Sequence, residues 1–263
     1  MRKKKSIRYI NRTRTRSKPK SKGIRKETVY FLIFLALFLA ISIVKFPPPD
    51  YSGVEQGTIR APSETETKTA SETEATSGED LAVLEYTGSP YCEINGNVPA
   101  FSEVDEELLK TKGYEYYSAL DGIGRCGYCE ACVGPETQPE GEERGEIWTV
   151  HPSGWRSGQG WERCHLIAWA LTGENANDHN LVTGTHYMNV EGMLPFEIEV
   201  AEAADRGIHV MYRVTPVYKG YEPICRGVNM AAKSIEDDSV SFNVYVFNVE
   251  PGKTVDYISG YVK

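Results

Sequence analysis

The feature that most constrains this chain is Val29–Val44, a run of sixteen residues without a charge. As a helix rising about 1.5 Å per residue it covers roughly 24 Å, short but workable for a bilayer core of about 30 Å. A helix that is apolar on every face is more typical of a membrane span than of the core of a small domain. We therefore predict a single transmembrane anchor at residues 28–46.

Charge is divided unevenly around this run. Residues 1–27 carry thirteen Lys or Arg and one Glu, although the whole chain has a net charge of −8. A basic block beside an apolar segment stays on the cytoplasmic face of a membrane. We predict a cytoplasmic arm at 1–27, with everything after the anchor outside the cell. The alternative is a cleaved, secreted form, but Phe46-Pro47-Pro48-Pro49 offers no small-residue signal-peptidase site.

The rest of the chain divides into a linker and a folded domain. Residues 47–80 are rich in Ser, Thr, Glu and Pro and have little to bury, which is typical of a disordered linker. Aromatic and β-branched residues return from Leu81, so we place one extracellular domain at 81–263.

Patterns within this domain predict an α+β fold. Helices are expected at 106–113 and at 189–206, the second ended by Gly207. Apolar and polar residues alternate at period two in three later segments, which predicts half-buried antiparallel strands. These segments are 209–218, 224–233 and 240–249.

Arg163 and His165 are two residues apart and would face the same side of a strand. An imidazole accepts a proton near neutral pH, and a guanidinium binds a phosphate through two parallel hydrogen bonds. The pair therefore suits an anionic substrate, although an isolated His is more often structural. His179 and His186 are alternative bases.

Asn180, Asn189 and Glu197 follow this pair in the sequence. Amide and carboxylate oxygens are ligands that magnesium accepts while it keeps most of its waters. On a helix Asn189 and Glu197 would lie about two turns apart and loosely share a face, because Gly192 and Pro195 disturb the register.

Together, Arg-x-His, two Asn nine residues apart and a Glu on the next helix resemble the DNA/RNA non-specific endonucleases of the ββα-metal fold. The resemblance covers roughly residues 120–260 and implies a ββα-metal core on an antiparallel sheet. It implies sequence-non-specific hydrolysis of DNA, with RNA as a further substrate, leaving 5′-phosphate ends. The implied cofactor is Mg²⁺, with Mn²⁺ as an alternative, and no small-molecule cofactor is expected.

The same resemblance implies a role for each of the five residues. His165 would be the general base that deprotonates the attacking water, and Asn189 would be the direct metal ligand. Asn180 would position the histidine or the phosphate. Glu197 would hold a water on the metal, and Arg163 would stabilise the charge on phosphorus.

The sequence departs from the family pattern Asp-Arg-Gly-His at Glu162 and Cys164. Six cysteines follow the anchor, and outside a membrane an even count favours disulfides, so we expect one at Cys164. Zinc is a second interpretation of Cys126-x-x-Cys129-x-x-Cys132, with Cys164 or His165 as the fourth ligand. Free thiols are the third.

The charge of the domain is unfavourable for binding a polyanion, since residues 81–263 hold thirteen Lys or Arg against twenty-eight Asp or Glu. We therefore expect modest affinity unless the arginines gather in one cleft. The alternative functions are a surface receptor that takes up DNA with little cleavage and a small structural zinc domain. The six arginines considered are Arg125, Arg144, Arg156, Arg163, Arg213 and Arg226.

Overall fold

The computed structural model of the chain describes residues 78–141 and 143–263. These lie within one compact unit, Lys68–Lys263. No helix in this part of the chain is long and apolar enough to cross a membrane. The predicted arm, anchor and linker lie outside the described residues, except that helix α1 (Gly78–Leu81) takes up the end of the predicted linker.

In the part of the chain that the structure describes, eight strands form two antiparallel sheets, which confirms the predicted α+β class with an antiparallel sheet. Six strands lie in the order β1-β8-β7-β6-β3-β2, and β4 pairs with β5 in a separate hairpin. The strands are β1 Tyr91–Glu93, β2 Glu115–Tyr117, β3 Cys129–Val133, β4 Glu162–His165, β5 Leu181–Gly184, β6 Val210–Val217, β7 Gly227–Ser234 and β8 Ser241–Phe247.

The last three strands were predicted as half-buried but are buried on both faces. In β8, every residue after Ser241 is buried. One face of the sheet carries the main core, including Val244 and Val246, while Tyr245 and Phe247 on the other face pack with Leu81 in a second cluster. The period-two pattern in the sequence therefore does not mark a solvent-exposed face. It separates residues that pack in the larger cluster from residues that pack in the smaller one.

The described residues contain three further α-helices: α2 Glu103–Leu109, α3 Trp169–Thr172 and α4 Leu194–Asp205. Helix α2 begins three residues before its predicted start because Ser102 and Asp105 form a capping box. Helix α4 follows a π-helical turn, Met188–Met193, which contains Asn189. The predicted helix at 189–206 is therefore present, but its first part is a wider π-helical turn. This turn contains Gly192 and ends shortly before Pro195, which has no backbone N–H to donate.

The hairpin β4–β5 and the helix that follows form a ββα unit, and the π-helical turn that leads into this helix contacts the large sheet at Gly192. A Cβ at Gly192 would lie 2.3 Å from Val246 Cγ1 in β8. Because a valine within a strand has little freedom to move, the close approach requires glycine.

We expect Gly192→Ala to lower the free energy of unfolding by about 1–3 kcal/mol through overpacking. Urea unfolding of the full chain would measure this loss. Gly122→Ala is the matched control, because nothing lies within 4 Å of a Cβ at that position. Equal midpoints for the two variants would contradict the close packing of the helix on β8.

All six cysteines lie among the described residues and are free thiols. The expected disulfide at Cys164 is therefore wrong in this structure. The Cys164 side chain is fully buried in the main core, and burial raises its pKa well above the ordinary value. Cys126 and Cys129 donate instead to backbone oxygens of residues 178–181, at 3.1–3.3 Å.

Candidate active site

A cleft of about 490 Å³ opens beside the ββα unit. One wall comes from β4 and the π-helical turn, and the other comes from the irregular segment after residue 143. The cleft therefore lies between regular secondary structure on one side and a loop on the other. The lining residues are Arg144, Gly145, Glu146, Ile147, Trp148, Trp161, Glu162, Arg163 and Asn189.

His165 ends β4 and is 6% exposed. Its Nε2 lies 2.8 Å from the backbone oxygen of Asn175, and its Nδ1 lies 3.3 Å from Arg144 Nη2. A carbonyl oxygen can only accept, so Nε2 carries the proton and Nδ1 keeps its lone pair. Burial lowers the pKa of His165 to about 4; the Asn175 bond opposes this, and the Arg144 charge adds to it. The imidazole is therefore neutral at pH 7 and can accept a proton.

Asn189 lies in the π-helical turn, where Glu162 fixes the direction of its amide. Asn189 Nδ2 donates to one carboxylate oxygen of Glu162 at 2.8 Å, and His186 Nδ1 lies 2.6 Å from the other. Since the NH₂ group is held by Glu162, the Oδ1 atom is the part of the amide left to bind a cation. Glu162 thus has a positioning role that its place in the sequence motif did not suggest.

Glu197 lies on α4, one turn after the helix begins. It is 9% exposed, and burial raises its pKa to about 8, while the positive charge of Arg144 acts in the opposite direction. A carboxylate removed from water in this way is stabilised by any cation brought close to it.

Two further residues contact His165. Nothing in the sequence indicated Asn175, and Arg144 could not be distinguished from five other arginines. Arg144 donates Nε to Asn175 Oδ1 at 3.3 Å, while Asn175 Nδ2 donates to the Gly145 backbone oxygen at 2.6 Å. Asn175 also bonds His165 through its own carbonyl. It therefore fixes the loop that carries Arg144 against the candidate base.

Arg163 was predicted to act on the phosphate, and the structure shows that two of its donors have other partners. Its Nε donates to the Val150 backbone oxygen, and Nη2 donates to that of Trp148 at 2.8 Å. The guanidinium also stacks on Trp155, 3.9 Å from the ring centroid. Arg163 lines the cleft, but its observed contacts hold the opposite wall in place.

Asn180 was predicted to position the histidine or the phosphate. It is fully buried, and both amide atoms bond the backbone of Ile167, at 2.8 and 2.9 Å. Ile167 follows His165 by two residues, so Asn180 can position the histidine through the main chain. A phosphate cannot reach it in this geometry.

The other candidates lie elsewhere. His179 is not in the cleft wall and bonds the Ser118 backbone oxygen at 2.9 Å. His186 is exposed, and its bond to Glu162 raises its pKa, so it is a poorer base at low pH than His165. Of the six arginines considered, Arg144 and Arg163 line the cleft, whereas Arg125, Arg156, Arg213 and Arg226 have partners outside it.

The chemistry of two predicted side chains suits a hydrated divalent cation, and one of them, Asn189, lines the cleft. Asn189 Oδ1 and the Glu197 carboxylate are oxygen donors, and a small hard ion takes its remaining ligands from water or phosphate. Within 78–141 and 143–263, no cluster of three or more His, Cys, Asp or Glu is arranged to hold a metal. The predicted zinc alternative thus lacks support, because Cys129 and Cys132, three apart on β3, face opposite sides of the strand.

The chain is similar to known nucleases in sequence and in fold. Residues 106–236 match the family model for DNA/RNA non-specific endonuclease. NucA from Streptococcus agalactiae with magnesium ion bound is 25% identical, with a TM-score of 0.57 over 68% of this chain and 88% of that chain.

Two further structures share the fold. NucA from Streptococcus agalactiae with no metal bound is 24% identical, with a TM-score of 0.58 over 73% of this chain and 98% of that chain. Sda1 nuclease with bound zinc ion is 24% identical, with a TM-score of 0.55 over 67% of this chain and 97% of that chain. Residues 106–236 are therefore identified as a DNA/RNA non-specific endonuclease domain, and the fold is that of known nucleases.

Proposed function

We propose that this nuclease cuts nucleic acid strands internally without sequence preference, in a reaction that requires a divalent cation. The observation that carries the proposal is the state of His165. Its Nε2 proton is held by the Asn175 carbonyl, which leaves a lone pair on Nδ1 next to an arginine of the cleft. A buried neutral base beside a cation suits the removal of a proton from water during attack on a phosphodiester.

The residues around His165 suggest how the reaction proceeds. Nδ1 of His165 takes the proton from the attacking water, and the Asn175 carbonyl keeps the ring oriented during the transfer. Arg144 must yield its place beside Nδ1 to this water. A substrate phosphate gives the displaced guanidinium a charged partner, so substrate binding and exposure of the base are linked.

Asn189 would hold the cation through Oδ1, and Glu197 would stabilise it with its buried carboxylate. When bound, the ion supplies stabilisation of the negative charge that builds on the phosphate and the leaving oxygen. We propose Mg²⁺ as the ion, with Mn²⁺ as an alternative. Two small oxygen donors with room for water favour these ions over one that requires a cage of protein ligands.

We propose DNA as the substrate, with RNA as a further one, and 5′-phosphate products. Arg144 and the cation recognise the phosphate rather than the bases, and contacts of that kind carry no sequence information. The anchor at 28–46 and the extracellular location stay predictions from the sequence. Protease treatment of intact cells, followed by detection of the domain, would test them.

The test of the function uses the purified full chain with plasmid DNA and with RNA, in magnesium, in manganese and with excess chelator. We expect both substrates to be degraded only when a divalent ion is present, and His165→Ala to cut at least about 100-fold more slowly. If wild type and His165→Ala degrade the substrates equally, the assignment is wrong. Binding of DNA without cleavage in either metal would favour the receptor alternative.

A further inference from the structure

Trp148 lies on the wall of the cleft with 63% of its surface exposed. An indole ring loses little water in that position, so the exposure is not explained by packing within the domain. Its neighbours in the cleft include Arg144, Arg163 and Asn189. The ring therefore lies in the part of the molecule where the substrate would be held.

Two hydrogen bonds constrain this residue, one to the ring and one to its backbone. Its indole N–H donates to the Glu146 carboxylate. Its backbone oxygen accepts from Arg163 Nη2 at 2.8 Å, and Arg163 lies on β4 two residues before His165. The backbone at Trp148 is thus tied to the strand that carries the candidate base, and the bond to Glu146 orients the indole, which reduces the conformational entropy lost when a ligand stacks on it.

The charges around the ring indicate what kind of group it meets. Glu146 lies at the indole edge, and Glu162 lines the same cleft. These carboxylates repel a phosphate at the ring itself, whereas Arg144 in the same cleft attracts one beside it. A base, by contrast, is uncharged and has a flat face. Stacking on an aromatic ring is tolerant of sequence and does not depend on positive charge.

Building on the proposed function, we propose that Trp148 stacks on an unpaired nucleobase next to the phosphate at Arg144, and that this contact makes the nuclease prefer single strands. In a duplex both faces of each base are already covered by neighbouring base pairs. The ring could reach such a face only after the pair had opened, which costs energy.

Binding to the full-length His165→Ala chain tests this without cleavage, using oligonucleotides that contain the fluorescent base 2-aminopurine. We expect Trp148→Leu to weaken single-strand binding about tenfold and Trp148→Phe to stay near wild type, because phenylalanine keeps an aromatic face. Duplex binding should change little. The loss should be similar between about 50 and 200 mM salt, since no ionic contact is removed.

An oligonucleotide that lacks the stacked base, an abasic substrate, is the matched control, because it removes the stacking partner while Trp148 is left intact. Removal of the stacked base should weaken binding to the tryptophan form and abolish the difference between tryptophan and leucine. Equal losses for single strands and duplexes, or a difference that survives in the abasic oligonucleotide, would overturn the inference. Either result leaves the proposed function standing if wild type still cleaves, whereas failure of wild type to cleave any substrate would overturn the function itself.

Discussion

His165→Ala is expected to lower the rate of backbone cleavage by about 100-fold to 10,000-fold, the range that a positioned general base contributes. The substitution removes the Nδ1 lone pair that faces Arg144 and the Nε2 bond to Asn175. Timed cleavage of plasmid DNA at saturating magnesium would measure the loss. Added imidazole should restore part of the activity, because the space left by the ring can admit a free base.

The pH profile gives an independent measure of the same residue. Only the neutral imidazole can accept a proton, and burial lowers the pKa of His165 to about 4. At magnesium concentrations that keep the ion bound, and with it the Glu197 carboxylate ionised, the acid limb of kcat/KM should therefore fall below about pH 5 instead of near 6.5, where an exposed histidine titrates. Arg144→Gln should move this limb to higher pH, because the arginine charge helps to hold the pKa down.

His179→Ala is the matched control, since His179 bonds the Ser118 backbone oxygen and does not line the cleft. It should keep most of the activity. Full activity in His165→Ala, or complete loss in His179→Ala with normal folding, would show that the base has been misassigned.

The order of the chemical groups was readable from the sequence because regular elements carry them. Arg163 and His165 are two residues apart on β4, so they could be predicted to face the same side of the strand. The period-two alternation located β6, β7 and β8 to within a few residues. The helix that follows β5 could be placed from its apolar pattern and from Gly207. These features depend on local spacing, which the sequence displays directly.

Contacts between distant segments could not be predicted in the same way. Arg144 and Trp148 lie on a segment without regular structure, and no periodicity indicates which of its side chains face the cleft. The bond from Asn189 to Glu162 joins residues 27 positions apart. The cysteine count suggested disulfides, but the fold keeps all six thiols free and buries five of them, and Cys126 and Cys129 bond backbone oxygens.

Asn189→Ala is expected to lower the cleavage rate at least about 100-fold and to weaken binding of the divalent ion, because the ion supplies several kcal/mol of charge stabilisation. Titration calorimetry with Mn²⁺ in the absence of substrate would measure the binding separately from turnover. Glu162→Ala should lower the affinity for the ion by about 10-fold to 100-fold, as expected when the group that orients a metal ligand is lost.

A reciprocal exchange tests the orientation itself. Asn189→Asp keeps an oxygen for the ion but places a carboxylate against Glu162, so it should bind Mn²⁺ poorly despite the added negative charge. In the double variant Asn189→Asp with Glu162→Gln, the new amide can donate to Asp and still accept from His186. Affinity should then recover, giving a large interaction energy in the double-mutant cycle. If the two substitutions are simply additive, Glu162 does not orient the ligand, and Asn189 must be held by other contacts in the turn.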